Sequence, residues 1–137
     1  MEGSLTAPPL KKPRGEASAR LVHPHAWLWE PLEDDPTFVL GSMFGTRIAY
    51  LDGLLMLCFA TKQDPWRGVL VCTERGQHAS LMAEFPPLAP HPVLGKWLYL
   101  AESADAFEKV AIRLVDAARR RDPRIGVIPG RKKKDRP

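Results

Sequence analysis

The chain has 137 residues, 45% of them apolar and 26% charged, a length and balance that suit one globular domain. That composition excludes a wholly disordered, a collagen-like and a disulfide-scaffold chain. The formal charge of +4 is unevenly spread: residues 1–20 carry +2, residues 21–112 hold six basic against eleven acidic side chains, and residues 113–137 hold ten basic against three acidic.

Residues 1–20 contain Pro8, Pro9 and Pro13 and few large apolar side chains. They bury too little surface to offset the entropy of ordering and read as a flexible arm. The folded unit is expected over residues 21–128, followed by a basic, disordered tail at 129–137. Trp27, Leu28 and Trp29 follow two histidines, and Pro31 suits the first turn of a short helix over Pro31–Asp35, closed by Pro36. Asp52-Gly53 stands between two apolar runs, a strong two-residue hairpin signal. The implied register sets Leu51 against Leu54, Tyr50 against Leu55, Ala49 against Met56 and Ile48 against Leu57. One sheet face then shows Ile48, Tyr50, Leu55, Leu57 and Phe59; the other shows Ala49, Leu51, Leu54, Met56 and Cys58. Both faces are apolar, whereas a half-wet sheet alternates apolar with polar. The second face therefore predicts a homodimer.

Val69–Thr73 reads as a third strand and His78–Phe85 as a short helix. Pro86–Pro92 must be a loop or an edge segment. In the strand Lys96–Leu100, Trp97 and Tyr99 share one face and Leu98 and Leu100 the other. The last element is a helix over Ser103–Arg121, with Phe107, Val110, Ala111, Leu114, Val115 and Ala118 in one apolar stripe. Ser103 or Asp105 is the expected cap, and Arg119–Arg121 suit its negative end. The fold class is therefore α+β: a mostly antiparallel sheet of about five strands with helices packed on it in two layers.

Few residues point to chemistry. His23-x-His25 would set two imidazoles on one side of a strand, but a third ligand at motif spacing is missing. Asp34-Asp35 read as a short solvated turn. Gly126–Lys134 lacks the Gly-Lys-Ser/Thr end of a phosphate loop. Cys58 and Cys72 lie in apolar runs and read as reduced core thiols, with a disulfide open if their strands are neighbours. No Gly-x-Ser-x-Gly elbow is present. The expectation is a non-enzymatic protein without catalytic, cofactor-binding or metal-binding residues. A small-ligand site would need Arg47, Tyr50, His78 and Trp97 to converge on one pocket.

Ser42-Met43-Phe44-Gly45, a strand, Asp52-Gly53, an apolar strand, a third strand, a short helix, Trp97-Leu98-Tyr99-Leu100 and a closing helix follow in order. This arrangement resembles the N-terminal domain of TfoX-like proteins over about residues 27–121, with Met43, Phe44, Gly45, Asp52 and Gly53 as its motif. The resemblance implies an α+β interaction or regulatory module without a known active site or cofactor. Thr46 stands where that family often has a second glycine. Met43 and Phe44 are expected as core anchors and Gly45 as a backbone requirement.

The expected partners are a second copy, an unidentified protein and, without sequence specificity, nucleic acid. The first 20 residues lack an apolar signal core, and the longest apolar run, Leu54–Ala60, is far short of the roughly 20 residues of a membrane helix; the expected location is cytoplasmic. The alternative function is nucleic-acid association through the basic termini, with Arg119, Arg120, Arg121, Arg131, Lys132, Lys133 and Lys134 as phosphate contacts. Residues 108–137 hold no aromatic side chain to stack on bases. That alternative predicts duplex-DNA binding that weakens steeply with salt and disappears when residues 130–137 are deleted. Fluorescence anisotropy tests it, and binding indifferent to both changes removes it.

Overall fold

A computed structural model describes residues 23–43 and 45–130. The arm at 1–20, Phe44, and Arg131, Lys132, Lys133 and Lys134 lie outside the described residues. Helix α1 (Ala26–Trp29) runs into a 3-10 turn (Glu30–Leu32). The strands β1 (Val39–Met43), β2 (Thr46–Leu51), β3 (Leu54–Thr61) and β4 (Arg67–Val71) follow. A 3-10 turn (Arg75–Gln77), α2 (His78–Glu84), β5 (Ala89–Pro90), β6 (Leu98–Ala101) and α3 (Phe107–Arg119) complete the described elements. The six strands form one antiparallel sheet in the order β1-β2-β3-β4-β6-β5. The fold is α+β, as expected, with six strands where about five were expected; the short β5 lies in the proline-rich segment read as a loop or an edge, and β1 is the strand that was not foreseen.

The first helix lies earlier than the Pro31 signal suggests. Pro31 occupies the 3-10 turn, and the α-helical part precedes it. Helix α3 starts at Phe107 rather than Ser103, because Ser103–Ala106 are spent in tight turns: Ala104 N–H donates to the Ala101 carbonyl and Phe107 N–H to the Ala104 carbonyl. Neither Ser103 nor Asp105 caps it; Ala106 holds the cap position without a side-chain bond. The stripe itself is as expected, with Phe107, Val110, Ala111, Leu114, Val115 and Ala118 all buried.

The hairpin turns at Asp52-Gly53, both with positive φ (55° and 78°), as a tight primed turn demands. Leu51 pairs with Leu54 and Tyr50 with Leu55. Then the register slips. Ala49 pairs with Leu57 and Ile48 with Cys58, leaving Met56 as the extra residue of a β-bulge. Beyond a bulge every side chain changes face. Leu57 and Phe59 therefore join Ala49, Leu51 and Met56 in the core beneath α1, α2 and α3. Cys58 joins Ile48, Leu55, Leu70, Cys72 and Tyr99 on the opposite face. The expected faces of Leu57, Cys58 and Phe59 are thus reversed.

That opposite face carries no helix among the described residues, yet it is not open. Tyr50, Trp66, Trp97 and Val127 pack over it, and Leu55 exchanges both backbone bonds with Val127. The chain thus covers part of the second face itself. Trp97 and Tyr99 share this side, and Leu98 and Leu100 the helix side, as the alternation predicts. Cys58 and Cys72 are free and buried, their sulfurs 3.8 Å apart, and burial pushes the Cys72 thiol up.

Helix α3 ends in a Schellman arrangement. Asp122 N–H reaches the Ala117 carbonyl and Arg121 N–H the Ala118 carbonyl, with Arg121 at φ 60° where glycine is usual. Arg121 holds that conformation while its guanidinium binds Asp52 Oδ2 at 2.6 Å and Asp35 Oδ2 at 2.9 Å. One side chain so ties the helix end to the hairpin turn and to the segment entering β1.

Gly68 pairs with Ala101 at φ 146°, and a Cβ there would lie 2.1 Å from the Leu100 carbonyl oxygen. Gly53 has positive φ but open space around it. We expect Gly68→Ala to cost about 3 kcal/mol through overpacking plus backbone strain. Gly53→Ala is expected to cost about 1 kcal/mol from φ alone. Urea unfolding of the two variants checks the contrast; equal losses would contradict it.

Candidate functional site

The cleft worth chemical attention opens where the chain enters α1, leaves β6 and starts α3. Its volume is about 670 Å³, and its walls include Pro24, His25, Trp27, Glu102, Phe107 and Lys109. Such a volume lies within the range of small-molecule sites.

The sequence builds each wall for a local reason. His23, Pro24 and His25 form a turn rather than a strand: His25 N–H donates to His23 Nδ1 at 3.0 Å, and Ala26 N–H to the His23 carbonyl. This turn swings the His25 ring inward against Phe107, centroids 5.4 Å apart. His23 lies against Trp29 at 5.3 Å, and Trp29 against Phe59 at 5.1 Å. Glu102 follows β6 and extends its pairing with β4, because its N–H donates to the Arg67 carbonyl. The Arg67 guanidinium returns to Glu102 Oε1 at 2.5 Å. The start of β4 is fixed in turn by Tyr99, whose hydroxyl accepts the Arg67 N–H at 3.1 Å and donates to Asp64 at 2.9 Å. Burial pushes that hydroxyl up to about 12.

His25 is the unusual group. It is only 3% exposed, and neither ring nitrogen has a hydrogen-bond partner among the described residues. Its Nε2 stands 3.8 Å from Glu102 Oε2, too far for a hydrogen bond. An unmet buried polar group costs about 1–3 kcal/mol, so a fold that keeps one at a cleft wall favours a ligand that satisfies it. Burial depresses the His25 pKa most, opposed by Glu102 and aided by Arg67. His23 is lowered first by burial and then by His25. The facing start of α3 adds donors. Its cap position makes no side-chain bond, and the N–H groups of Glu108 and Lys109 have no partner among the described residues.

The other candidate residues have structural work. Met43 is 37% exposed, so it is an edge-strand residue and not a core anchor. Gly45 has φ 78°, and the Lys62 side chain occupies the space a Cβ would need. Asp52 and Gly53 form the hairpin turn. Arg119 and Arg120 both pair with Asp116, at 3.0 and 2.8 Å, and Arg121 is committed to Asp35 and Asp52. Asp35 also accepts from the Thr37 N–H and hydroxyl, which makes the Asp34-Asp35 turn a tether. Arg47, Tyr50, His78 and Trp97 line no part of the cleft: Arg47 donates to Ser42, His78 bonds the Lys96 carbonyl at 2.8 Å, and the two aromatics cover the sheet. Among the described residues no group of three or more His, Cys, Asp or Glu side chains is placed to hold a metal ion. None of their helices is long and apolar enough to cross a membrane.

No family model, curated protein or solved structure matches the chain.

The buried His25 and the half-buried His23 give a pH prediction. In the unfolded chain they titrate near 6.5, and in the fold they titrate lower. Below 6.5 the unfolded state binds protons that the fold resists. Stability is thus fully present above about 6.5 and lost as pH falls through the folded values. The urea midpoint should drop over that window, and His25→Gln should flatten the drop. An unchanged slope in both His25→Gln and His23→Gln would contradict it.

Proposed function

We propose that the chain is a non-enzymatic interaction or regulatory module of the TfoX N-terminal type, and that it works by binding a small ligand in the His25–Glu102 cleft. The observation that carries this is His25 itself: buried, unpartnered and set in the cleft wall. Catalysis is the weaker reading, because His25 lacks a bonded orienting group, with Glu102 drawn to Arg67 instead. A binding role asks only that the ligand supply the missing partners. The TfoX-like reading is supported by the sequence resemblance alone, through Met43, Phe44, Gly45, Asp52 and Gly53.

The nucleic-acid alternative draws less support from Arg119–Arg121. All three sit in intramolecular ion pairs, so phosphate would have to compete with Asp116, Asp35 and Asp52. That alternative rests chiefly on residues 131–137, outside the described residues.

The test is an amide-resolved NMR screen of the full chain against a library of polar metabolites. We expect a subset to shift His25, Glu108 and Lys109, and to raise the melting temperature by preferential binding to the folded state. The His25→Phe variant should lose both effects while staying folded. A library that leaves the cleft untouched would overturn the reading.

A further inference from the structure

We propose that the open edge of the sheet, strand β1, is a self-association surface whose partner is a second copy of this chain, the two β1 strands pairing antiparallel about a two-fold axis at Gly41. This inference is independent of the cleft, and either can fail without the other. The contact also differs from the sheet-face pairing expected from the apolar alternation.

The two edges of the sheet differ in kind. The β5 edge is two residues long, contains Pro90 and lies among Pro86, Pro87 and Pro92, which have no N–H to offer a further strand. The β1 edge is five residues long, Val39–Met43, with neither a proline nor a charged side chain. Prolines and charges are the usual means of blunting an edge, and β1 has none of them. Its register settles which backbone groups are spare. Leu51 pairs with Leu54 across the two-residue turn, so Leu51 and Ala49 bond toward β3, and Tyr50, Ile48 and Thr46 bond toward β1. Their partners Val39, Gly41 and Met43 are thereby engaged. The N–H and C=O groups of Leu40 and Ser42 point out of the sheet, with no backbone partner among the described residues.

Those groups suit a copy of themselves. In a two-fold pair, Leu40 exchanges two bonds with the partner's Ser42, and Ser42 exchanges two with the partner's Leu40. Gly41 meets the partner's Gly41 at the non-hydrogen-bonded position, where backbones come closest and glycine puts no side chain in the way. Val39 faces the partner's Met43 on either side of the axis. Both are apolar and open, 58% and 37% exposed, and they flank the Tyr50 ring, which lies 2.9 Å from where a Gly41 Cβ would stand.

The ends of this edge carry opposite charges. The Val39 end is entered through Asp34 and Asp35 and stands beside Asp52, with Arg121 bound to two of the three. The Met43 end carries Arg47, which donates to Ser42, and Lys62, whose side chain runs past Gly45. Antiparallel pairing lays the acidic end of each copy beside the basic end of the other. A parallel pairing would set like ends together.

The experiment follows the full chain by sedimentation velocity from micromolar to near-millimolar concentration, with amide hydrogen exchange at both limits. An edge this short makes a small interface, so a weak, reversible dimer is expected. It should weaken as salt rises. Exchange at Leu40 and Ser42 should slow as the dimer fills, while Gly41 and Met43 stay protected throughout. Val39→Lys alters an exposed side chain and spares the fold; it should weaken the dimer about tenfold or more, one apolar contact being lost twice by symmetry. Lys62→Glu should weaken it too, most at low salt. A monomer over the whole range overturns the inference, and slow exchange at Leu40 and Ser42 in that monomer assigns the edge to the chain's own first 22 residues instead. A dimer indifferent to Val39→Lys, with fast exchange at Leu40 and Ser42, also overturns it, because the contact then lies elsewhere.

Discussion

The bulge at Met56 is the constraint on which the rest of the molecule hangs. Without it, strict alternation from the Asp52-Gly53 turn would aim Phe59 away from the helices. With it, Phe59 is fully buried on the helix side and gives Trp29 a ring to pack on. Trp29 then supports His23, and His23 accepts the His25 N–H. A single inserted residue in β3 is thereby linked, contact by contact, to the orientation of the imidazole in the cleft. The bulge has its own support: the Met56 carbonyl accepts the Cys72 N–H, and Gly126 passes where a Cβ would strike the Met56 sulfur at 2.7 Å. Glycine at 126 is needed because its φ of 117° is one that other residues rarely adopt.

A sheet apolar on both sides is hard to cover in a short chain. All three described helices pack on one side. On the other, large aromatic side chains do what a helix layer would do. Trp66 and Trp97 lie over the sheet, and the buried His91 knits them to the loop before β4. His91 Nε2 bonds the Pro65 carbonyl while its Nδ1 accepts the Val93 and Leu94 N–H groups. Here is a buried histidine with every polar atom met. It throws His25 into relief: the same residue type, equally buried, with none met.

Much of this was legible in the sequence where a rule is local. Asp52-Gly53 marks its hairpin because few residue pairs tolerate two positive φ values. The α3 stripe is legible because six apolar residues repeat at one helical period. Trp97–Leu100 keeps strict alternation in the fold. The bulge was not legible, since Leu54–Ala60 is apolar throughout and no polar residue marks the slip. The start of α3 was misplaced because Ser103 and Asp105 are good caps in composition, while the turns after β6 delay the helix until Phe107. The cleft was half legible. The two histidines drew notice, but as strand residues and metal ligands. Glu102 stands in no motif of the sequence. Nothing short of the β4–β6 pairing brings Glu102 beside His25.

Why would a fold keep an imbalance that one substitution could mend? A phenylalanine at position 25 would pack on Phe107 and leave no polar atom unmet. A buried polar group held at such a disadvantage is a common mark of a functional position, where stability is given up for binding. The placing of the surrounding charges points the same way. Arg67 takes up Glu102 from behind, which stops it from closing on His25. Were Arg67 absent, Glu102 would be free to turn to the imidazole and satisfy it, and the cleft would lose its open partner. The ion pair where β4 begins and β6 ends therefore holds the imidazole unpartnered, and it does so with groups that the β4–β6 pairing fixes.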